Sequence, residues 1–244
     1  MGAVAGVLGT VVQMLEAGAT HIGVATDHVI ESFRNGLWPD YKTGDGIDPQ
    51  LWAQFHPLEE CLVSMGVTTW PMIDLEADDA LASAAFLAAR DPRVEKVCIW
   101  TPDKDLAQCV VADRVVQVDR RSGSHRDAAA VRAKFGVDPV FIPDYLALVG
   151  DSADGYPGLA GIGSKTAARL INQHGHLEQF PANVLGPHRE RALLFKTLAT
   201  LRTDAPLFEA IEQLRWRGPA EAFRSAIAQL GSVRLEERVR RLAR

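Results

Sequence analysis

The run LVGDSADGYPGLAGIGSKTAARL, Leu148 to Leu170, sets two kinds of phosphate chemistry side by side. Asp151 and Asp154 stand one helical turn apart, a spacing that lets both carboxylates share a face. Gly155, Gly158, Gly161 and Gly163 follow, with Pro157 among them. Neither a helix nor a strand interior tolerates that density, so it marks a tight backbone loop. A helix then opens, with Ser164 read as its N-cap, Lys165 and Thr166 next, and Ala167, Ala168 and Leu170 as strong helix formers. A Gly-x-Gly turn feeding a helix N-terminus directs backbone N–H groups outward, where with a Lys they suit a phosphate. Taken singly, the acid pair fits a solvated turn and the glycines a plain helix-to-helix turn. Their adjacency argues instead for carboxylates beside an anion cradle, the combination expected of a nuclease.

The bulk of the chain is consistent with an ordinary folded enzyme. Its 244 residues are 47% hydrophobic and 23% charged, a globular composition with length for one large domain or two lobes. Cys61, Cys98 and Cys109 show no C-x-x-C spacing, so neither a disulfide framework nor a zinc-cysteine site is implied. The most apolar run, Leu81 to Ala89, falls far short of a membrane span, and Met1 to Leu15 lacks the basic start of a signal peptide. A cytoplasmic protein with no membrane association, and a monomer, is expected. The net charge of −5 conceals an asymmetry. Residues 189 to 244 carry 12 of the 26 basic and 7 of the 31 acidic side chains, leaving 14 basic against 24 acidic in the body. One surface is thus suited to a polyanion and another to cations.

Working outward, acids recur after apolar segments. Ala3 to Leu15 has helical spacing of Val4, Val7, Leu8, Val11, Val12 and Leu15. Thr20 to Thr26 reads as a buried strand with Asp27 at its C-terminal end, where open α/β sheets place ligands. The next segment is punctuated by Gly and Pro, and its aromatics interleave with Arg34 and Lys42, a composition that suits a single strand or a plain surface loop. Asp48 to Met65 predicts a helix and Val67 to Ile73 a strand, followed by Glu76-Ala77-Asp78-Asp79 and the helical Ala80 to Ala89. Helix-dipole compensation accounts for one or two acids there, but three together call for a cation. Val94 to Trp100 is a strand ending in Thr101-Pro102-Asp103-Lys104-Asp105-Leu106, and Val115 to Val118 reads as an edge strand with a polar turn from Arg120 to Asp127. Pro139 to Val149 is helical. His174-Gly175-His176 reads as a helix-ending turn, and no Ser-His-Asp or Cys-His arrangement stands out. In a single parallel sheet the first three acid turns would share one edge, with Asp151 and Asp154 folding over it. Eight carboxylates so gathered require divalent cations, and all-oxygen donors suit Mg²⁺ or Mn²⁺.

These motifs resemble the 5′ nuclease family, which contains bacterial polymerase-associated 5′ nuclease domains and flap endonucleases. The run from Leu148 resembles its helix-hairpin-helix, Glu76-Ala77-Asp78-Asp79 its acidic motif, and Asp103-Lys104-Asp105-Leu106 its Gly-Asp-Lys-Asp-Leu turn with Pro102 in place of the Gly. Phe33-Arg34 and Tyr41-Lys42 resemble the segment leading into its arch, and Leu198 to Leu207 the segment closing the domain. The resemblance implies an α/β fold, a mainly parallel sheet flanked by helices over residues 1–138, and a helical helix-hairpin-helix lobe over 139–244. It implies two-metal, structure-selective hydrolysis at DNA 5′ ends, 5′ flaps or branched duplexes, with a DNA polymerase as possible partner. Glu76, Asp78, Asp103 and Asp105 would be inner metal ligands, with Asp27, Asp79, Asp151 and Asp154 completing the site. Lys42, Arg34 and Lys104 would serve catalysis, and Gly161 to Thr166 (Gly161, Ile162, Gly163, Ser164, Lys165, Thr166) would meet the duplex. Carbonyls of Leu148, Val149, Pro157, Leu159 and Ile162 would hold K⁺. A PIN-type ribonuclease and a catalytically impaired DNA-structure-binding relative are the alternatives. One departure stands out: family members begin with a strand ending in an aspartate, absent upstream of Ala3 here. Either the chain starts late or the form is degenerate, and the survival of every later acid motif favours a late start.

Overall fold

Val4, Leu8, Val11, Val12 and Leu15 line one face of α1 (Gly2–Glu16) in the computed structural model, and all are buried. The structure describes residues 1–120 and 122–243. After α1 come β1 (Gly23–Asp27), α2 (Pro49–Trp52), α3 (Phe55–Ser64), β2 (Thr68–Met72), α4 (Ala77–Arg90), β3 (Val97–Ile99), β4 (Val115–Val118) and β5 (His125–Arg126). The remainder is helical: α5 (Ala128–Phe135), α6 (Ile142–Val149), α7 (Ser164–His174), α8 (Ala182–Leu185), α9 (Arg189–Ala199), α10 (Phe223–Gln229) and α11 (Val233–Leu242). Contacts divide the chain into two units, Met1–Ile30 with Gly44–Ala77 and Pro206–Arg244, and Glu31–Thr43 with Asp78–Ala205. No helix among the described residues is long and apolar enough to cross a membrane.

In the first unit β1 and β2 pair in parallel, from Gly23 opposite Thr68 to Asp27 opposite Met72. The core of this unit joins α1 to α3, α10 and α11 through Leu8, Leu62, Met65, Ile227 and Val239. Each such side chain, fully buried, contributes about 1.5–3 kcal/mol. The helix expected over Asp48 to Met65 is interrupted, α2 ending at Trp52 and α3 starting at Phe55. Pro57 explains the break, because its ring excludes the carbonyl four residues back and is accommodated only in a first turn.

In the second unit α6 is the central rod. Ile142, Tyr145, Leu146, Ala147 and Leu148 are all buried, in a core shared with Ile171 of α7 and Phe195 and Leu198 of α9. Among the described residues, the sheet of this unit has the order β3-β4-β5, with β3 parallel and β5 antiparallel to β4. Val115 to Val118 is therefore not an edge but the middle strand, buried at every position. The partner that puts it there is β5, inside the expected polar turn, whose Arg121 lies outside the described residues. Among the described residues the parallel pairing expected of the α/β fold is present as β1 with β2 in the first unit and β3 with β4 in the second.

Candidate metal centre

Asp105 opens a short 3-10 turn after β3, and the sheet fixes that turn. Its N–H donates to Asp103 Oδ1 at 3.0 Å, and Asp103 N–H donates to Thr101 Oγ1 at 3.1 Å. Gln117 on β4 donates from Nε2 to the Asp103 carbonyl at 2.6 Å while its Oε1 accepts from Arg126 on β5 at 2.8 Å. Asp151 and Asp154 arrive from another direction, on the loop after α6. They are not on a helical turn: Asp151 and Tyr156 exchange N–H···O bonds of 2.8 and 3.0 Å, and Asp151 Oδ1 accepts from Ala153 N–H at 3.0 Å. Closing the loop across Asp151 and Tyr156 curls Asp154 back toward Asp151, which achieves the convergence expected of a helix by other means.

One carboxylate oxygen each from Asp105, Asp151 and Asp154 lies within 4.8 Å of the others. Asp105 Oδ1 is buried and has no hydrogen-bond partner. Burial, then the charges of Asp103, Asp154, Asp151 and Asp78, push its carboxyl well above the usual carboxylate range. Two ammonium groups partly compensate, Lys104 Nζ at 2.7 Å from Asp151 Oδ2 and Lys42 Nζ at 3.3 Å from Asp154 Oδ1. Burial by itself lowers the Lys104 pKa, but its bond to Asp151 and the charges of Asp151, Asp105 and Asp103 outweigh that and raise it. An orphaned carboxylate oxygen amid further acids fits a hard divalent cation, with oxygen donors of the kind Mg²⁺ and Mn²⁺ take.

Asp78 stands half-buried in the first turn of α4. Arg34 is turned inward: Nη1 and Nη2 each donate to Asp79 at 2.7 Å, Nε to the Leu198 carbonyl at 2.8 Å and Nη2 to the Thr200 carbonyl at 3.2 Å. Asp79 also accepts from Arg202 N–H at 2.9 Å. Arg34, expected to contact phosphate, and Asp79, expected as a metal ligand, are both buried and paired with each other. Ser32 and Asn35 cap the turn Phe33–Gly36 that aims Arg34 this way. Asp27 and Glu76 belong to the first unit, where Asp27 Oδ1 accepts from Ala77 N–H at 2.7 Å and Glu76 is buried. Tyr156 was not anticipated. Its hydroxyl is buried without a partner, and burial followed by Asp105, Asp151 and Asp154 drives its pKa upward. Only its place in the loop between Asp154 and Pro157 could have signalled it.

The hairpin half of the opening run is built on backbone contact. Gly150 and Gly158 have φ of +84° and +69°, and a Cβ on either would overlap the backbone of the facing strand at Pro157 or Val149. Leu159 N–H donates to the Leu148 carbonyl at 2.8 Å, and Ile162 N–H to the Leu159 carbonyl at 3.1 Å. Val149 and Pro157 meet at this crossing. Gly163, not Ser164, is the N-cap of α7, since it is extended while Ser164 is already helical, and Ala167 N–H bonds its carbonyl at 2.9 Å. No side chain caps this N-terminus. Gly161, Gly163, Ser164 and Lys165 are exposed, with Ile162 and Thr166 partly so.

Family models match residues 1–222 of the chain, "5′-3′ exonuclease, N-terminal resolvase-like domain" over residues 1–136 and "5′-3′ exonuclease, C-terminal SAM fold" over 137–222. Flap endonuclease Xni of Serratia proteamaculans is 37% identical over 196 residues, 76% of this chain and 77% of the relative. DNA polymerase I of Bacillus caldotenax is 32% identical over 220 residues, 84% of this chain but only 25% of the polymerase, so the chain spans about a quarter of such relatives. In fold it is similar to T5 5′-exonuclease, with a TM-score of 0.68 at 18% identity over 98% of this chain and 91% of that one. The catalytic core of Rad2 in complex with DNA substrate gives a TM-score of 0.64 at 17% identity, covering 99% and 85%.

Proposed function

The chain belongs to the 5′-3′ exonuclease family, and on that premise we propose that it is a metal-dependent, structure-selective 5′-3′ exonuclease or flap endonuclease acting on DNA. The observation that carries the reading is the buried, partnerless Oδ1 of Asp105 facing Asp151 and Asp154. Asp105, Asp151 and Asp154 would hold the divalent cations, Mg²⁺ or Mn²⁺, with Asp103 and Asp78 contributing charge. Such ions would supply neutralisation of a phosphodiester's developing charge and would lower the pKa of a water so that, deprotonated, it could attack.

The chain's own residues do the rest. Lys104 and Lys42 present ammonium groups beside the acids, where the oxygens of a scissile phosphate would meet them. Tyr156 and the Asp151–Tyr156 loop hold Asp151 and Asp154 in place and keep water from their inner side. The uncapped N-terminus of α7, with Gly161, Ile162, Gly163, Ser164, Lys165 and Thr166, offers amides and an ammonium to a duplex phosphate. The carbonyls of Leu148, Val149, Pro157, Leu159 and Ile162 would steady a K⁺ between loop and DNA backbone. In this reading residues 1–138 form the nuclease core and the duplex-gripping lobe begins at 139, its last helices α10 and α11 being those that pack with α1 and α3, and a DNA polymerase generates the flaps that the chain removes.

Cleavage assays on 5′-flap DNA, plain duplex and single-stranded RNA, each in Mg²⁺ or EDTA, test the proposal. It expects Mg²⁺-dependent release of the flap and little attack on RNA. Preference for RNA supports a PIN-type ribonuclease instead, and DNA binding without turnover an impaired relative.

A further inference from the structure

We infer that His28, His56 and Glu59 form a second cation site, of zinc chemistry, within the first unit and sharing no residue with the acid cluster. His28 directly follows the last residue of β1, and His56 and Glu59 are three apart on α3, on one face of that helix. Both imidazoles turn the same nitrogen toward one oxygen: His28 Nδ1 is 2.8 Å and His56 Nδ1 3.8 Å from Glu59 Oε2. The rings meet edge to face with centroids 4.5 Å apart. One ligand atom from each residue lies within 4.8 Å of the others. Tetrahedral zinc with its usual bond lengths sets ligand atoms about 3.3 Å apart, between the two observed separations.

The arrangement carries the marks of a supported ligand set. The other oxygen of Glu59 accepts a 2.7 Å bond from Thr26 Oγ1 on β1, which orients the carboxylate so that Oε2 faces the imidazoles. Glu59 is buried at the floor, whereas the His56 side chain is 57% exposed, so the outer side stays open for water as a fourth ligand. A single imidazole would satisfy Glu59 as an ion pair. The second adds nothing to that pairing but completes a two-nitrogen, one-oxygen set, and such a set takes Zn²⁺ in preference to Mg²⁺. Bound there, the ion would clamp the C-terminal end of β1 to α3.

Titrating Zn²⁺ into the intact chain in excess Mg²⁺, by calorimetry and by thermal melting, tests this. The wild type is expected to take up a single Zn²⁺ per chain and to melt higher. His56→Ala, whose ring is exposed, should leave the zinc-free melt unchanged yet weaken binding about 100-fold or more, and Thr26→Val should weaken it about 10-fold. Asp151→Asn should not affect it. Replacing Zn²⁺ with Co²⁺ should give visible bands of a tetrahedral site, absent in His56→Ala. Failure of the wild type to bind zinc in excess Mg²⁺, binding that survives His56→Ala, or binding lost in Asp151→Asn each overturns the assignment.

Discussion

Arg34 and Asp79 face each other through two 2.7 Å hydrogen bonds, and both side chains are closed off from solvent. The pair also gathers the Leu198 and Thr200 carbonyls and the Arg202 amide, so it ties the start of α4 to the segment after α9. Breaking it strands a buried charge, which costs about 3–5 kcal/mol. Arg34→Ala and Arg34→Lys should therefore both lower the denaturant midpoint, Lys being unable to reproduce the bidentate geometry. If urea unfolding of Arg34→Ala matches the wild type while cleavage falls, the residue acts on substrate and the structural assignment fails.

The glycines of the hairpin divide into two groups with opposite expected effects. Gly158→Ala puts a Cβ into the Gly150 backbone at a φ of +69°, which should destabilise by about 2–5 kcal/mol. At Gly163 a Cβ meets nothing within 4 Å and φ is not positive, so Gly163→Val should fold normally. It should nevertheless weaken duplex binding about 10-fold to 100-fold by holding a phosphate off the α7 amides. Fluorescence anisotropy with duplex DNA, run beside thermal melts, checks both. Unchanged affinity in Gly163→Val reduces the turn to a purely structural one.

Cys109 is shielded chiefly by burial and next by carboxylates of the acid cluster. Burial, then Asp78, Asp105 and Asp79, push its thiol up to about 12, and the thiolate is the reactive form. Native-state alkylation near pH 8 should thus modify the exposed Cys98 much faster than Cys109. Peptide mapping of a brief iodoacetamide treatment decides it, and equal modification at the two positions contradicts the electrostatic picture.

Much of this architecture can be read from residues alone, and the misses have identifiable causes. Strands ending at Asp27 and before Asp103 follow from β-branched runs with acids at their ends, and α1 and α4 from helical spacing. Strand pairing is not local: Val115 to Val118 gains its outer neighbour from His125 and Arg126, whose polar sequence reads as a turn. Pro57 is the local signal for where α3 begins, at Phe55. The pairing of Arg34, expected to contact phosphate, with Asp79 is not local, since 45 positions separate them, and similar remoteness hides His28 from His56 and Glu59, although His and Glu three apart on a helix are a local signal. Asp105, Asp151 and Asp154 were legible as acids but not as the trio whose oxygens converge.

The account rests on that trio, and Asp105→Asn tests it most directly. The substitution removes a buried carboxylate repelled by its neighbours, so the metal-free protein should melt no lower than the wild type while losing a cation ligand. The decisive measurement is the Mg²⁺ dependence of 5′-flap cleavage by wild type and Asp105→Asn, with DNA affinity determined on the same samples. The account predicts Mg²⁺-dependent turnover in the wild type, and in the variant a loss of at least about 100-fold with duplex affinity retained. Wild-type turnover by Asp105→Asn at the same Mg²⁺ concentration would contradict it.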